Sequence, residues 1–443
     1  VVTARAAALH ALVELERGRQ PRLRAALDAA RLDGREQALA NELAHGVLRR
    51  ERLLDHVLAG LAVRGLPRDA RLMAALRLGV YQLLFVAGMP VHAAVHETVE
   101  LVRSNRGFAN ALLRQVAQRL LDRPADAAAP ERELPISPTR AFTLPQSLPA
   151  EPVARAAIVH SLPDFLVERW REWFGAAVAV ELCAASSAVP EVFLRPVGCS
   201  LAALSAALAS EDVQTAAGGP RMLRWTGGGS PFGTRAFREG AFAVQDPTAF
   251  AAVEAVPCRP GDRVLDLCAA PGTKTTALAE RVRPGGAVYA FDIDPRRRER
   301  IVENVARLRL GEVVQVVESL AAVPAGVDAA LADVPCSNTG VLARRVEVRQ
   351  RLAPGTFAEL VPLQRRLLGQ AIAAVRPGGH VVYSTCSIDR EENEDVVAAA
   401  LAAPPPGGLE LLLQRTTLPR AGEGDGGFVA VLRRGLPGRP AEG

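Results

Sequence analysis

The sequence predicts an α/β fold: a doubly wound parallel core over residues 246–436, preceded by a small α+β module over 151–245 and an N-terminal all-α bundle over 1–123. Three observations carry this. Apolar residues recur at helical spacing, with no strand signal, as far as residue 123. A stretch rich in Pro and Ala without any period follows over 124–150. From about residue 250 short apolar runs alternate with helical patterns, and that alternation is the mark of a parallel sheet covered on both faces.

In chain order, "ARAAALHALVELERG" has the helical period, with Gly18 as its stop. "REQALANELAHGVLRRERLLDHVLAGL", "RDARLMAALRLGVYQLLF", "HAAVHETVELVRS" and "GFANALLRQVAQRLLD" repeat it with short Gly and Pro loops, so the first 123 residues read as a compact bundle. Residues 124–150 read as an extended linker. "PDFLVERWREWFG" is an amphipathic helix, "EVFLRPVG" alternates like a strand, and "SLAALSAALAS" is a second helix. "QDPTAF" reads as a helix start, with Asp246 as cap and Pro247 in the first turn. Beyond it, "DRVLDLCAA", "AVYAFDID", "VVQVVES", "DAALADVP", "HVVYSTCS" and "GFVAVLRR" are strands, and helical patterns lie between most of them. "RPGG" before the fifth of these reads as a turn.

A chain of 443 residues predicts two or three domains. With 49% apolar and 23% charged residues it is globular in composition. The net charge of +5 and the pI of about 9.1 favour a polyanionic partner, and at 4% the aromatic residues are too few for extensive base stacking. Six cysteines, at 183, 199, 258, 268, 336 and 386, show neither zinc-ligand nor disulfide-scaffold spacing, so reduced thiols in a cytoplasmic protein are expected. The N-terminal stretch reads as a helix without signal-peptide anatomy. "LGVYQLLFVAGMPVHAAV", interrupted by Gln82, Pro90 and His92, reads as a buried helix and turn rather than a membrane span. All basic residues are arginine except Lys274. A lone lysine marks either a chance survivor of coding bias or a place where a compact ammonium fits and a forked guanidinium does not.

Ligands of doubly wound sheets bind beyond the carboxyl ends of the strands. "DLCAAPGTKT" follows the first core strand, and its small residues Ala269, Ala270 and Gly272 admit a ligand to the backbone ahead of a helix N-terminus. It is no phosphate-binding P-loop, because Thr273 stands where that motif has glycine before its lysine. Asp292 ends the next strand, where an acid accepts from ribose hydroxyls, so a nucleoside-type cofactor without a phosphate fits. Asp333 and Cys336 lie at the tip of one later strand, and Cys386 at the tip of the next. Cys183, Cys199 and Cys258 read as packing, and Cys268 as structural. The polar flanks of Cys336 and Cys386 favour a ligand-facing role, with Lys274 as a local positive charge.

"DLCAAPGTK", "DVPCSNTG" and "YSTCSIDREENE", in this order, resemble the three hallmark loops of the RNA 5-methylcytosine methyltransferases. The resemblance implies a Rossmann-like class I methyltransferase core that uses S-adenosyl-L-methionine. It implies Cys386 as nucleophile, Cys336 as the thiol that assists product release, Asp333 at the base's polar edge, and Lys274 ordering Asp333. Cofactor contacts are expected from Cys268, Ala269, Ala270, Pro271, Gly272, Thr273, Lys274, Asp292 and Asp333. "VLRRERLLDHVL", "LRLGVYQLLF", "HAAVHETVELVR" and "FANALLRQ" are similar to the RNA-binding NusB fold. Together these imply a monomeric enzyme acting on ribosomal RNA of the small subunit (16S), with no membrane and no metal. The alternatives are cytosine-5 methylation of another RNA, such as transfer RNA, and a non-catalytic RNA-binding assembly factor. Leu320 is expected where the family has an adenine-contacting acid, Val197 where it has asparagine, and "ARRVEVRQRL" lacks the usual proline and tryptophan.

Overall fold

The computed structural model describes residues 2–19 and 22–436. They form two compact units. One runs through Ala188 and takes in Arg345–Arg351, and the other comprises Val189–Arg344 and the chain from Leu352 onward.

The first unit holds α1 (Ala4–Glu16), α2 (Leu23–Asp28), α3 (Gly34–Ala59), α4 (Ala70–Phe85), α5 (Val91–Leu101) and α6 (Arg106–Ala117). Asp33 and Asp69 cap α3 and α4 by accepting from the N–H groups of Glu36 and Leu72, each cap being worth about 1 kcal/mol. The apolar stripes of the helices converge, and Leu9, Leu43, Leu54, Leu76 and Leu113 are wholly buried in one core. No helix among the described residues is long and apolar enough to cross a membrane.

The extended linker expected over 124–150 is instead structured. β1 (Leu120–Leu121), β2 (Glu133–Ser137) and β3 (Arg140–Thr143) form an antiparallel sheet of order β1-β3-β2. Its Leu134 and Phe142, and Leu144 and Leu148 beyond it, join the helical core. The prolines hide these strands because they interrupt any period in the sequence. Pro135 lies within β2, however, and Pro138 lies in the turn to β3. Next come α7 (Pro152–Val159), α8 (Asp164–Phe174) and α9 (Ala176–Ser187). The reading of 151–245 as one module differs here too, since these helices pack with the bundle. Arg50 of α3 donates to the carbonyl of Val159 (3.0 Å), and the Ser161 hydroxyl accepts from the N–H of Arg52 (3.1 Å).

Residues 345–351 are built into the same unit. Val346 is fully buried in its core. Arg349 donates to the carbonyls of Arg49 (3.0 Å), His160 (3.1 Å) and Ser186 (2.8 Å). Burial, with Arg49 and Arg50 adding to it, pushes the Arg349 guanidinium down to about 9.

The second unit opens with β4 (Phe193–Pro196), α10 (Leu201–Ala209), β5 (Thr215–Ala217), β6 (Leu223–Trp225), α11 (Arg235–Arg238) and β7 (Phe242–Val244). The strands form an antiparallel sheet of order β5-β6-β4-β7 over a core that includes Leu194, Leu208 and Phe242.

The large sheet follows: α12 (Pro247–Glu254), β8 (Arg263–Leu267), α13 (Thr273–Val282), β9 (Ala287–Phe291), α14 (Pro295–Arg307), β10 (Val314–Val317), β11 (Val327–Asp333), α15 (Gly355–Ala374), β12 (Val375–Thr385), α16 (Glu394–Ala402), β13 (Leu409–Thr417) and β14 (Gly427–Arg434). Its order is β10-β9-β8-β11-β12-β14-β13. The first five strands are parallel, and β14 is antiparallel to both of its neighbours. Successive residues face opposite cores. Val264, Ala329 and Leu331 pack with Leu278 and Val282 of α13, while Leu265, Ala330 and Ala332 pack with Leu368 and Ile372 of α15. Leu331 is fully buried, so truncating it to alanine would cost about 2–5 kcal/mol. The expected "RPGG" turn lies within β12 as a bulge, where the pairing moves from Val327↔Val375 to Ala329↔His380. β8 is central, and the chain winds outward from it in both directions. The switch point therefore lies between the carboxyl ends of β8 and β11.

Candidate active site

The loop after β8 is built to bring backbone close to a ligand. Cys268 adopts φ +69° and Gly272 φ +97°, between them a tight turn into α13. A Cβ at Gly272 would also stand 3.2 Å from the side chain of Ile301. Ala269, Ala270 and Pro271 line the turn, and Thr273 begins the helix. Asp292 lies just beyond β9 and is almost wholly buried. Its oxygens accept from the N–H groups of Ala270 (3.3 Å) and Asp294 (3.1 Å), and Arg297 stands 3.3 Å away. Asp266, inside β8, accepts from Thr275 Oγ1 at 2.6 Å with one oxygen, while its other oxygen is buried without a partner. Burial pushes this carboxyl up to about 7, with the Thr275 hydrogen bond working the other way. An orphaned buried acceptor beside an open backbone turn and a buried acid on the next strand fits a polar nucleoside-type cofactor. Sequence reasoning missed Asp266, although it opens the quoted "DLCAAPG" motif. Burial, then Asp333 and Asp292, pushes the Cys268 thiol up to about 12, which disfavours the reactive thiolate.

Lys274 projects from the first turn of α13 to Asp333 at the end of β11, with Nζ 2.7 Å from Oδ2. Burial works to lower the ammonium, but the charge and hydrogen bond of Asp333 outweigh it, and the pKa lies above the ordinary lysine value. The lone lysine therefore occupies a confined place with one carboxylate partner.

Cys336 and Cys386, fifty residues apart in sequence, meet with 3.1 Å between their sulfurs. The loops carrying them lie at the carboxyl ends of the neighbouring strands β11 and β12. The backbone fixes this approach: Gly340 N–H donates to the carbonyl of Cys386 (3.0 Å), and Gly426 N–H to the carbonyl of Gly340 (2.8 Å). A Cβ at Gly340 would stand 2.6 Å from the Gly426 carbonyl, so only glycine fits. The hydrogen bond with Cys386 and then burial hold the Cys336 thiol well above the usual range. Cys336 is thus a neutral thiol in contact with Cys386. Cys386 itself is only half-buried.

The polar residues after each cysteine serve differently from the sequence expectation. Most are buried, and they knit the two loops together rather than face a ligand. Glu392, wholly buried, accepts from Ser337 N–H (2.8 Å), from the Ser337 hydroxyl, and from Gln364 (2.9 Å). Thr339 donates to Asp389 (2.7 Å), and Thr385 to Asn393 (2.6 Å). These bonds set the height and direction of both thiols.

A third group closes the site. Arg344 donates to Asp425 (2.5 Å), Asp246 (2.9 Å) and the carbonyl of Glu191 (2.7 Å). It thereby ties the cap of α12 to the loop before β14. Burial, and then Asp246, push the Asp425 carboxyl up to about 7 against the pull of Arg344. Lys274, Asp333, Cys386, Asp246 and Asp425 line one cleft. Asp246 is expected from sequence only as a cap, which it is, accepting from Thr248 N–H at 2.9 Å. Its place in the cleft depends on contacts 98 and 179 residues away, for which the sequence carries no local signal.

The expected departures also have places. Leu320 packs partly buried against the core that contains Val317 and Tyr289. Val317 pairs with Phe291, so Glu318 follows β10 as Asp292 follows β9. Glu318, not Leu320, is the acid level with the rim. Val197 is buried in the core, and Arg195 pairs with Glu280 and donates to Gln245 (2.8 Å), which makes both packing residues.

Comparison with known proteins agrees with this architecture. Residues 253–433 match the family model described as 16S rRNA methyltransferase RsmB/F, and residues 2–118 match the NusB family. The chain is 33% identical to the ribosomal RNA small subunit methyltransferase B of Thermus thermophilus, over 89% of this chain and 86% of that protein. It is 31% identical to the protein of the same name from Klebsiella pneumoniae, over 91% of each. A crystal structure of a methyltransferase homolog protein from Pyrococcus horikoshii superposes with a TM-score of 0.55 at 25% identity, covering 63% of this chain and 97% of that one.

Proposed function

Because the chain belongs to the family of 16S rRNA methyltransferases RsmB/F, with a NusB domain ahead of a Rossmann-like methyltransferase core, we propose that it methylates carbon 5 of a cytidine in small-subunit ribosomal RNA through a covalent adduct on Cys386. The observation that carries this reading is the pair of sulfurs 3.1 Å apart beside the Lys274–Asp333 ion pair.

Carbon 5 of cytosine is a weak nucleophile. The Cys386 thiol gives its proton to water and Sγ adds to carbon 6; the C5–C6 π pair shifts to the C4–C5 bond and N3 takes up a proton, so carbon 5 becomes enamine-like. S-adenosyl-L-methionine, when bound, supplies an electrophilic methyl group on a sulfonium. Cys268 to Lys274, Asp292 and Asp333 would hold it, with Asp266 as a further acceptor. After methylation carbon 5 loses its proton, the S–C6 bond breaks, and the double bond re-forms. Cys336 assists this release by giving its proton to the departing Cys386 sulfur, while the carbon 5 proton goes to water and water reprotonates Cys336; the 3.1 Å between the two sulfurs supports the role. Asp333 holds the polar edge of the base, and Lys274 fixes Asp333. The base must leave its stack to reach the cleft. Basic residues of the NusB domain would supply salt-sensitive affinity for RNA.

Tritiated methyl donor with separate pools of small-subunit ribosomal RNA and transfer RNA tests the reading. Label is expected in the ribosomal pool, at carbon 5 of one cytidine. Cys336→Ala is expected to accumulate a protein–RNA adduct that survives denaturation, and Cys386→Ala to form none and to lose at least about 10⁴-fold in turnover. Adducts in the second variant and not the first would reverse the two roles. Label confined to transfer RNA, or none while RNA still binds, would refute the proposal.

A further inference from the structure

Asn338 lies two residues beyond Cys336 and bonds to both cysteines. Its Nδ2 donates to the carbonyl of Cys336 at 2.7 Å, and its Oδ1 accepts from the Cys386 thiol at 3.2 Å. The orientation of this carboxamide follows from chemistry. The Cys336 carbonyl can only accept, so it must face the NH₂ end, which turns the oxygen toward Cys386. A thiol has one proton. With the Cys386 proton given to Asn338, the contact between the two sulfurs has Cys336 as its donor. The result is a directed chain from the Cys336 S–H through the Cys386 S–H to the Asn338 carbonyl.

Such an oxygen attracts a thiol and repels a thiolate. We propose that Asn338 is a positioning residue for Cys386: it holds that sulfur aimed and protonated in the resting enzyme, and it must give way when the base is seated. This rests on the reading of Cys386 as nucleophile. The other charged or titratable groups facing Cys386 are Cys336 from the adjoining loop, Lys274 from α13, Asp333 from β11, Asp246 from the cap of α12 and Asp425 from the loop before β14, with Arg415 of β13 lining the same cleft. Of these only Cys336 has a hydrogen bond to Cys386 among the described residues, and Lys274 is engaged by Asp333. Removing Asn338 therefore removes the acceptor of the thiol proton and leaves every other group around the sulfur in place.

The backbone allows a clean test. Asn338 has φ +64°, a left-handed conformation that glycine adopts freely. Asn338→Gly deletes the carboxamide without straining the turn, and Asn338→Asp keeps its shape while placing negative charge beside the sulfur. Iodoacetamide alkylation of Cys386 in the full chain at pH 7, followed on the Cys386 peptide by mass spectrometry, reads the thiol directly. Cys183, fully buried, reports any loosening of the fold in the same digest. Asn338→Gly is expected to be alkylated roughly five- to tenfold faster than the unaltered chain, and Asn338→Asp more slowly. Equal rates in all three, or slowing in both variants, would overturn the proposal. So would faster labelling in both, since that reports a loosened loop rather than a held proton. Alkylation needs no RNA, so this inference can fail while methyl transfer stands. Absent methyl transfer in the unaltered chain would refute the proposed function and leave the alkylation result as a property of the thiol alone.

Discussion

Asp266 and Asp333 sit near the tips of neighbouring parallel strands, β8 and β11, and only one of them has a cation. Asp333 keeps 30% of its side chain exposed and is paired with Lys274. Asp266 has no exposure and a single hydroxyl partner, and burial pushes it up to about 7. The difference teaches how one rim can carry two kinds of carboxyl group. A partly exposed acid with a nearby ammonium has a fixed cationic partner. A buried acid without one holds its proton to near neutrality and acts as a donor or acceptor according to what approaches.

The largest break in this comparison is expected from Lys274→Met. It leaves Asp333 without its partner in a partly buried place, and single-turnover methyl transfer should fall by roughly 10²–10³-fold. Urea unfolding should show a loss of about 2 kcal/mol, below the roughly 3–5 of a fully buried pair, because Asp333 is still partly hydrated. Activity within twofold of the unaltered chain would remove Lys274 from the site. The raised lysine pKa means that the ion pair contributes fully at neutral pH and weakens only as pH rises through the folded-state value, above the ordinary lysine range.

Asp266→Asn should give the next effect. The unfolded chain releases this proton near the ordinary aspartate value, the folded chain only near 7. Between those values the folded state binds more protons, so the group makes stability fall as pH rises, by up to about 1.4 kcal/mol per pH unit. The asparagine variant lacks that loss. Its stability relative to the unaltered chain should climb from pH 4 to 7 and then level, as measured by thermal melts across pH, while its affinity for S-adenosyl-L-methionine falls. A pH-independent difference would show that Asp266 is ionised throughout. The smallest effect is the coupling between the two positions. A double-mutant cycle of Lys274→Met with Asp266→Asn should return about 0.5–1 kcal/mol, because Lys274 and Asp266 feel each other's charge without touching.

Much of the site was legible because its residues are local to motifs. Lys274, Cys336 and Cys386 stand within loops whose strand-then-helix setting is visible in the sequence, and those loops do converge. Asp266 was legible as a letter but not as an orphan, since partner count is a property of the folded interior. Arg344, Asp246 and Asp425 were illegible as a group because they meet only through long-range closure. In the fold, β13 was missed because "LELLLQRTT" lacks alternation, with Leu411, Leu412 and Leu413 all exposed on an edge strand. The β2–β3 hairpin was missed because proline masked short strands. Its Phe142, wholly buried, shows that tertiary packing rather than propensity holds it.

The return of residues 345–351 to the helical unit has a practical consequence for anyone dissecting the gene. No single cut divides this chain along its physical seam. A fragment ending at Ala188 lacks the valine that fills its interior and the guanidinium that satisfies three of its carbonyls. A fragment beginning at Val189 carries that same valine with nowhere to bury it. Either fragment expressed alone is therefore expected to fold less completely than the intact chain, as thermal melts would show.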